Sequence, residues 1–348
     1  MAQPCAAPER SNDPAVADRV CLLCGGQDIH RLWEASDQKF RGPGRFIYFK
    51  CATCELVFLH PPLSDEALAR YYPDHLTIVP PEGEGSRLHR IRQRMKRAVA
   101  EDWYGYEPHM HRLPWPLRLL RKALTLPLSP LLNQVPRRRL GGTVLDIGCG
   151  SGGFLAFLKT LGWTCYGIEP GLRSRTYAQD VLGLTVHQGT LESCGFPDSF
   201  FDVVTLWHVV EHLTNPSAVL REIHRVLKPD GVCVLRTPNI VSWEARCFQG
   251  NWYGLDSPRH FFLFSPGTIR AMLEQSGFVV TRLWCQYHPT DFSRSLLYVC
   301  EEKGWSYARR VVARWIRYID LGLVACSPMR RVFGQGGAMH VEARKASS

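Results

Sequence analysis

The sequence predicts an α/β protein: a doubly wound, largely parallel sheet covered by helices, led by a small N-terminal unit folded around a metal ion. Three observations carry this reading. Short apolar segments alternate with helical patterns from Val144 onwards. A glycine-rich turn, Gly148-Cys149-Gly150-Ser151-Gly152-Gly153, joins the first of these segments to its helix. Two C-x2-C pairs, Cys21/Cys24 and Cys51/Cys54, stand near the start.

Strands are expected at 144–147, 165–168, 184–187, 203–206 and 232–235, with a sixth at 278–283 and a seventh at 338–345. Lys228-Pro229-Asp230-Gly231 reads as a turn into the fifth strand, and Ser265-Pro266 as the cap and first residue of a helix ending at Gly277. In a sheet of this kind ligands bind at the carboxyl ends of the strands. Asp146 and Glu169 close the first two strands, flanking the glycine turn. Gly148, Gly150 and Gly152 let a ligand approach the backbone. An acidic residue about 20 positions on suits ribose hydroxyls. Glu169 therefore supports a nucleoside, while the glycine spacing alone also fits a nicotinamide dinucleotide.

The next stretches separate the two. The glycine turn, Glu169, the run His208-Val209-Val210-Glu211-His212 and Leu227-Lys228-Pro229-Asp230-Gly231 together resemble class I S-adenosylmethionine-dependent methyltransferases, over residues 140–345. The resemblance implies a Rossmann-like sheet of seven strands, the last antiparallel between the fifth and sixth. It implies S-adenosylmethionine as cofactor, held by Asp146, Gly148, Cys149, Gly150, Gly152, Glu169, Leu191, Glu192 and Trp207. An exposed loop explains Leu191 and Glu192 as well.

Each C-x2-C pair suits a tight knuckle, and two knuckles supply the four thiolates that a structural zinc ion prefers. Cys21, Cys24, Cys51 and Cys54 are the expected ligands, with a strand at 46–50 between them. Four structural thiols would be the plain alternative. The ribbon (21–60) leading into this core resembles a bacterial subgroup associated with surface polysaccharides and other small or glycan-like acceptors. The remaining divisions are a flexible lead (1–20), a basic helical linker (61–140) and the catalytic domain (141–348), with a helical insertion at about 292–337.

His208, Glu211 and His212 fall just past the fourth strand, where the resemblance places the acceptor. A hydroxyl acceptor is a poor nucleophile at neutral pH, and a neutral imidazole can take its proton. His212 is the first choice of base, then His208, with His260 a third; each ring could instead cap or pack a helix. Trp252, Tyr253 and Arg259 are expected in the acceptor wall, and Phe261 and Phe262 suit a small satellite core.

With 348 residues, 45% hydrophobic and 21% charged, the chain has material for two domains. No signal peptide or long apolar run is recognised, and thirteen cysteines, an odd count, fit a reducing compartment. A cytoplasmic protein is expected, with the inner membrane face as an option. Residues 86–140 hold 13 Lys and Arg against 3 Asp and Glu, a surplus equal to the chain's whole net charge of +10. Leu88, Ile91 and Met95 recur there at helical spacing among arginines, and Val311, Val312, Trp315, Ile316 and Ile319 do so in the insertion. Such segments suit an anionic membrane surface, nucleic-acid phosphates, or packing on the core.

The expected function is O-methylation of a small-molecule or glycan acceptor. An RNA methyltransferase gripping nucleic acid through ribbon and linker is the second reading, and a non-catalytic cofactor-binding scaffold the third.

Overall fold

The computed structural model describes residues 20–72, 87–106, 114–125, 136, 141–286, 289–325 and 336–346. The lead at 1–20 lies almost wholly outside them, as do parts of the linker and of the insertion. In order, the elements are β1 Ile29–Ser36, β2 Arg45–Cys51, β3 Val57–Leu59, α1 Asp65–Ala69, α2 Arg87–Trp103, α3 Trp115–Thr125, β4 Thr143–Ile147 and α4 Gly153–Thr160. These are followed by β5 Thr164–Ile168, α5 Leu172–Thr176, β6 Thr185–His187, β7 Phe201–Trp207, α6 Pro216–Val226 and β8 Leu227–Pro238. Then come α7 Trp243–Phe248, β9 Phe262–Leu263, α8 Pro266–Gln275, β10 Phe278–Gln286, α9 Pro289–Glu302, α10 Ser306–Ala325 and β11 Ala338–Lys345.

The larger sheet has the strand order β10-β11-β8-β7-β4-β5-β6. β4, β5 and β6 are parallel and β11 runs antiparallel to β10. The expected insertion of the last strand between the fifth and sixth is therefore observed. One difference is β8, which runs through Lys228-Pro229-Asp230-Gly231 without a break, so those residues extend the strand instead of preceding it. The chain divides into two compact units, one comprising 1–74, 206–224 and 234–348, the other 75–205 and 225–233.

In the second unit, Val144, Leu145, Val204 and Leu158 are fully buried. Tyr166, Phe196, Phe200 and Phe201 add edge-to-face aromatic packing, with Phe196 and Phe201 centroids 5.0 Å apart. Apolar strands buried on both faces are what a helix-covered parallel sheet requires.

In the first unit, a four-stranded sheet has the order β1-β2-β3-β9. Of these strands, the one expected at 46–50 is β2. β1 carries a register shift between Arg31 and Trp33, which breaks its alternation, and β9 is two residues long. β9 pairs with β3 through Phe58 and Phe262, so Phe262 belongs to this sheet. α8 begins as expected: Ser265 and Thr268 form a reciprocal capping box with Pro266 in the first turn.

Arg259 is the largest buried cation here, 1% exposed. It donates to Asp37 Oδ1 at 2.8 Å and Oδ2 at 3.1 Å, to Asp256 Oδ1 at 2.7 Å, and to the Tyr71 carbonyl at 3.0 Å. Removing one partner of a buried, hydrogen-bonded charge group leaves the others uncompensated. Arg259→Ala is expected to destabilise this unit by about 3–5 kcal/mol, read from a urea midpoint, with Arg259→Lys recovering only part because the bidentate fork is lost.

Candidate functional site

The glycine turn follows β4 as the sequence implies. Gly148, Gly150 and Gly152 have φ of 70°, 56° and 78°, conformations that side-chain-bearing residues seldom adopt. The Gly148 and Cys149 amides both donate to the Ile168 carbonyl, at 2.8 and 3.1 Å, tying the turn to the end of β5. There Glu169 accepts from the Gly150 amide through Oε2 at 2.9 Å and from the Gly171 amide through Oε1 at 2.8 Å. The space over Gly150 and Gly153 is open: a Cβ at either would meet nothing within 4 Å. Gly152 has a different task, since its Cβ would lie 2.5 Å from Leu184 Cδ1.

Asp146 is 2% exposed and accepts from Thr205 Oγ1 at 2.6 Å. Burial, opposed by the Thr205 hydrogen bond, raises its carboxyl to about 7. Of the remaining candidates, the Cys149 side chain packs under Gly167, where a Cβ would meet its Sγ at 2.6 Å, leaving only its backbone for a ligand. Leu191 is buried and Glu192 exposed. Trp207, at the end of β7, has its ring 6.2 Å from that of His340.

The histidines converge in the first unit. Glu211 is fully buried, with Oε1 3.2 Å from His208 Nδ1 and Oε2 without a hydrogen-bond partner among the described residues. Burial alone would raise its carboxyl, but the His208 hydrogen bond and the neighbouring imidazoles bring it down to about 2. His212 Nδ1 lies 3.0 Å from the Arg259 carbonyl and 3.0 Å from Tyr72 Oη. A carbonyl only accepts, so Nδ1 carries the proton. His260 is fixed likewise by the Gly254 carbonyl at 3.0 Å, and its ring meets that of His212 edge-on at 4.5 Å. Burial lowers the pKa of both rings, that of His260 to about 3, so both are neutral at pH 7.

His208 differs from the other two. Its side chain is 44% exposed, and the carboxylate on Nδ1 leaves Nε2 as the basic nitrogen. It adopts φ of 57° at the carboxyl end of β7. His260, by contrast, is interior at 5% exposure. Trp252 and Arg259, read from sequence as acceptor contacts, are also interior, each 1% exposed. The Arg259 guanidinium is engaged by Asp37, Asp256 and the Tyr71 and Ser257 carbonyls. Tyr253 is half-buried, its ring 5.5 Å from the Arg294 guanidinium. Sequence reading missed Asp37, Tyr72 and Asp256, which stand far from the histidines in the chain or among ordinary loop residues.

Cys21, Cys24, Cys51 and Cys54 do come together, with Sγ atoms all within 4.8 Å of one another. The Cys21–Cys54 and Cys24–Cys51 separations are 3.4 and 3.5 Å. Four sulfurs about 2.3 Å from one zinc ion would stand roughly 3.8 Å apart, so the donor set fits with small adjustments. Each pair forms its knuckle: the Gly25 amide donates to the Cys21 carbonyl at 2.8 Å, and that of Glu55 to Cys51 at 2.9 Å.

Residues 118–283 match the family model of a methyltransferase domain. The ubiquinone biosynthesis O-methyltransferase of Azorhizobium caulinodans is 29% identical over 154 residues, 41% of this chain and 61% of that protein. The protein of the same description from Pseudomonas syringae is 35% identical over 122 residues, 32% of this chain and 52% of its own length. The chain thus spans about half to three fifths of these relatives. A solved S-adenosylmethionine-dependent methyltransferase from Archaeoglobus fulgidus aligns at 20% identity and TM-score 0.44, covering 67% of this chain and 100% of that one.

The buried carboxyl beside the glycine turn has a measurable consequence. Because the folded pKa of Asp146 is raised, the native state holds a proton that the unfolded chain releases between about pH 4 and 7, so its contribution to stability is full below pH 4 and declines towards pH 7. Asp146→Asn removes that ionisation. The melting temperature of the variant relative to the wild type should rise as pH is increased from 4 to 8, and a flat difference would refute the assignment.

Proposed function

We propose that the chain is an S-adenosylmethionine-dependent methyltransferase acting on a hydroxyl of a small-molecule or glycan acceptor, with a structural zinc ion in its four-cysteine cluster. The observation that carries the reading is the left-handed glycine turn whose Gly150 amide is held by Glu169, within a segment matching the methyltransferase-domain model. The open space over Gly150 and the carboxylate at the end of β5 suit a ribose, whose hydroxyls would compete with the backbone amides for Glu169. When bound, the cofactor supplies a methyl carbon made electrophilic by the adjacent positive sulfur.

The acceptor's proton is assigned to His208. Its Nε2 is the basic nitrogen of a half-exposed ring, and Glu211 on Nδ1 stabilises the imidazolium that forms. His212, first choice from sequence, fits a positioning role better, as its half-buried ring is held by the Arg259 carbonyl and Tyr72 and packs edge-on against His260. Oxygen as the accepting atom is supported by the O-methyltransferases among the relatives.

Transfer of radiolabelled methyl from S-adenosylmethionine into a fractionated bacterial extract tests the reading. Label is expected in the small-molecule or saccharide fraction; label in RNA alone would overturn the acceptor class. His208→Asn should lower the turnover number by about a hundredfold while cofactor affinity, measured by calorimetry, stays within about twofold. Metal analysis should find one zinc per chain, lost in Cys24→Ser together with cooperative unfolding of the first unit.

A further inference from the structure

α3 is amphipathic in the wrong sense for a helix of a soluble protein. Its polar side faces α2: Arg121 donates to Glu101 Oε2 at 2.6 Å and to Asp102 Oδ2 at 3.1 Å, and Thr125 Oγ1 donates to Asp102 Oδ2 at 2.9 Å. Its apolar side faces outward, with Trp115 73% exposed, Leu119 59%, Leu120 57% and Leu124 68%. A surface helix ordinarily buries the apolar stripe and shows the charges. On α2, Ile91 and Met95 are also exposed, beside Arg94, so the helical stripe noted in the sequence is not a packing face at these positions.

α10 repeats the pattern in the other unit. Val312, Ile316 and Ile319 are half-buried, whereas Tyr307, Val311, Trp315 and Tyr318 are exposed. Those four recur at helical spacing along one face, which also carries the exposed Arg310 and Arg314. The sequence stripe thus splits into a packed half and an outward half.

We infer that α3 and α10 are membrane-surface elements that lay their exposed Trp, Tyr and Leu side chains into the headgroup region of an anionic lipid bilayer. Large apolar groups with Trp and Tyr, set beside Lys and Arg, are the combination that such an interface recognises. Charge decides between occupants. Residues 86–140 carry the whole surplus of the chain, +10, which complements anionic headgroups, whereas a second copy would bring like charge against like. A leucine-dominated face lacks the regular aromatic platform that single-stranded nucleic acid stacks upon. No described helix is long and apolar enough to cross a membrane, which suits contact with the surface.

The test is vesicle co-sedimentation of the full chain at about 0.15 M salt, near a Debye length of ~8 Å. Phosphatidylcholine vesicles are compared with vesicles that also contain phosphatidylglycerol. The chain is expected to pellet with the anionic vesicles. Two variants, Leu119→Ser/Leu120→Ser/Leu124→Ser and Trp315→Ser/Tyr318→Ser, should each lower the partition coefficient about tenfold or more. Unchanged circular dichroism and S-adenosylmethionine binding would certify that both remain folded. A wild type left in the supernatant with both vesicle types overturns the inference. So does a dimer in sedimentation equilibrium that the leucine variant dissolves, or retention on RNA that the serine substitutions abolish.

Discussion

The first unit depends on one buried guanidinium. Arg259 neutralises Asp37 from the turn after β1 and Asp256 from the loop before β9, and it binds the Tyr71 carbonyl. Three stretches of chain with no local reason to meet are thereby held together. The carbonyl of the same residue receives the His212 Nδ1 proton. Fixing Arg259 therefore fixes the tautomer of a histidine beside Glu211, so packing and electrostatics are set by a single residue. Burying so many charges is tolerable only because each has a partner; the network is a constraint on geometry more than a reservoir of stability.

Much of the α/β core was legible because parallel strands and their helices announce themselves by continuous apolar runs and by cap residues. Gly148, Gly150 and Gly152, Glu169 and the two cysteine pairs were legible because their chemistry requires particular residue types at short spacing. What escaped was long-range. β1 is masked by its bulge at Arg31 and Trp33, and β9 is two residues that become a strand only when β3 is alongside. Arg259 and Trp252 stand in a loop rich in aromatics and charges, which is ambiguous in one dimension; their deep burial emerges only in the fold. The exposure of Ile91, Met95 and Trp315 was equally unreadable, since helical spacing says that a stripe exists and not what covers it.

The ranking of the histidines turned on similar information. Three imidazoles and one carboxylate offer several proton arrangements when only their order is known. Backbone carbonyls on His212 and His260, and the Glu211 carboxylate on His208, reduce these to one, in which the exposed ring is also the one with a carboxylate behind it.

The backbone of His208 has an evolutionary consequence. At φ of 57°, most side chains with a Cβ cost about 1 kcal/mol or more, and β-branched ones more still, whereas Asn, Asp and Gly are tolerated. Genetic drift at this position therefore has few exits, and those available exchange an imidazole for an amide, a carboxylate or nothing. This corner of the strand end is therefore nearly closed to gradual substitution.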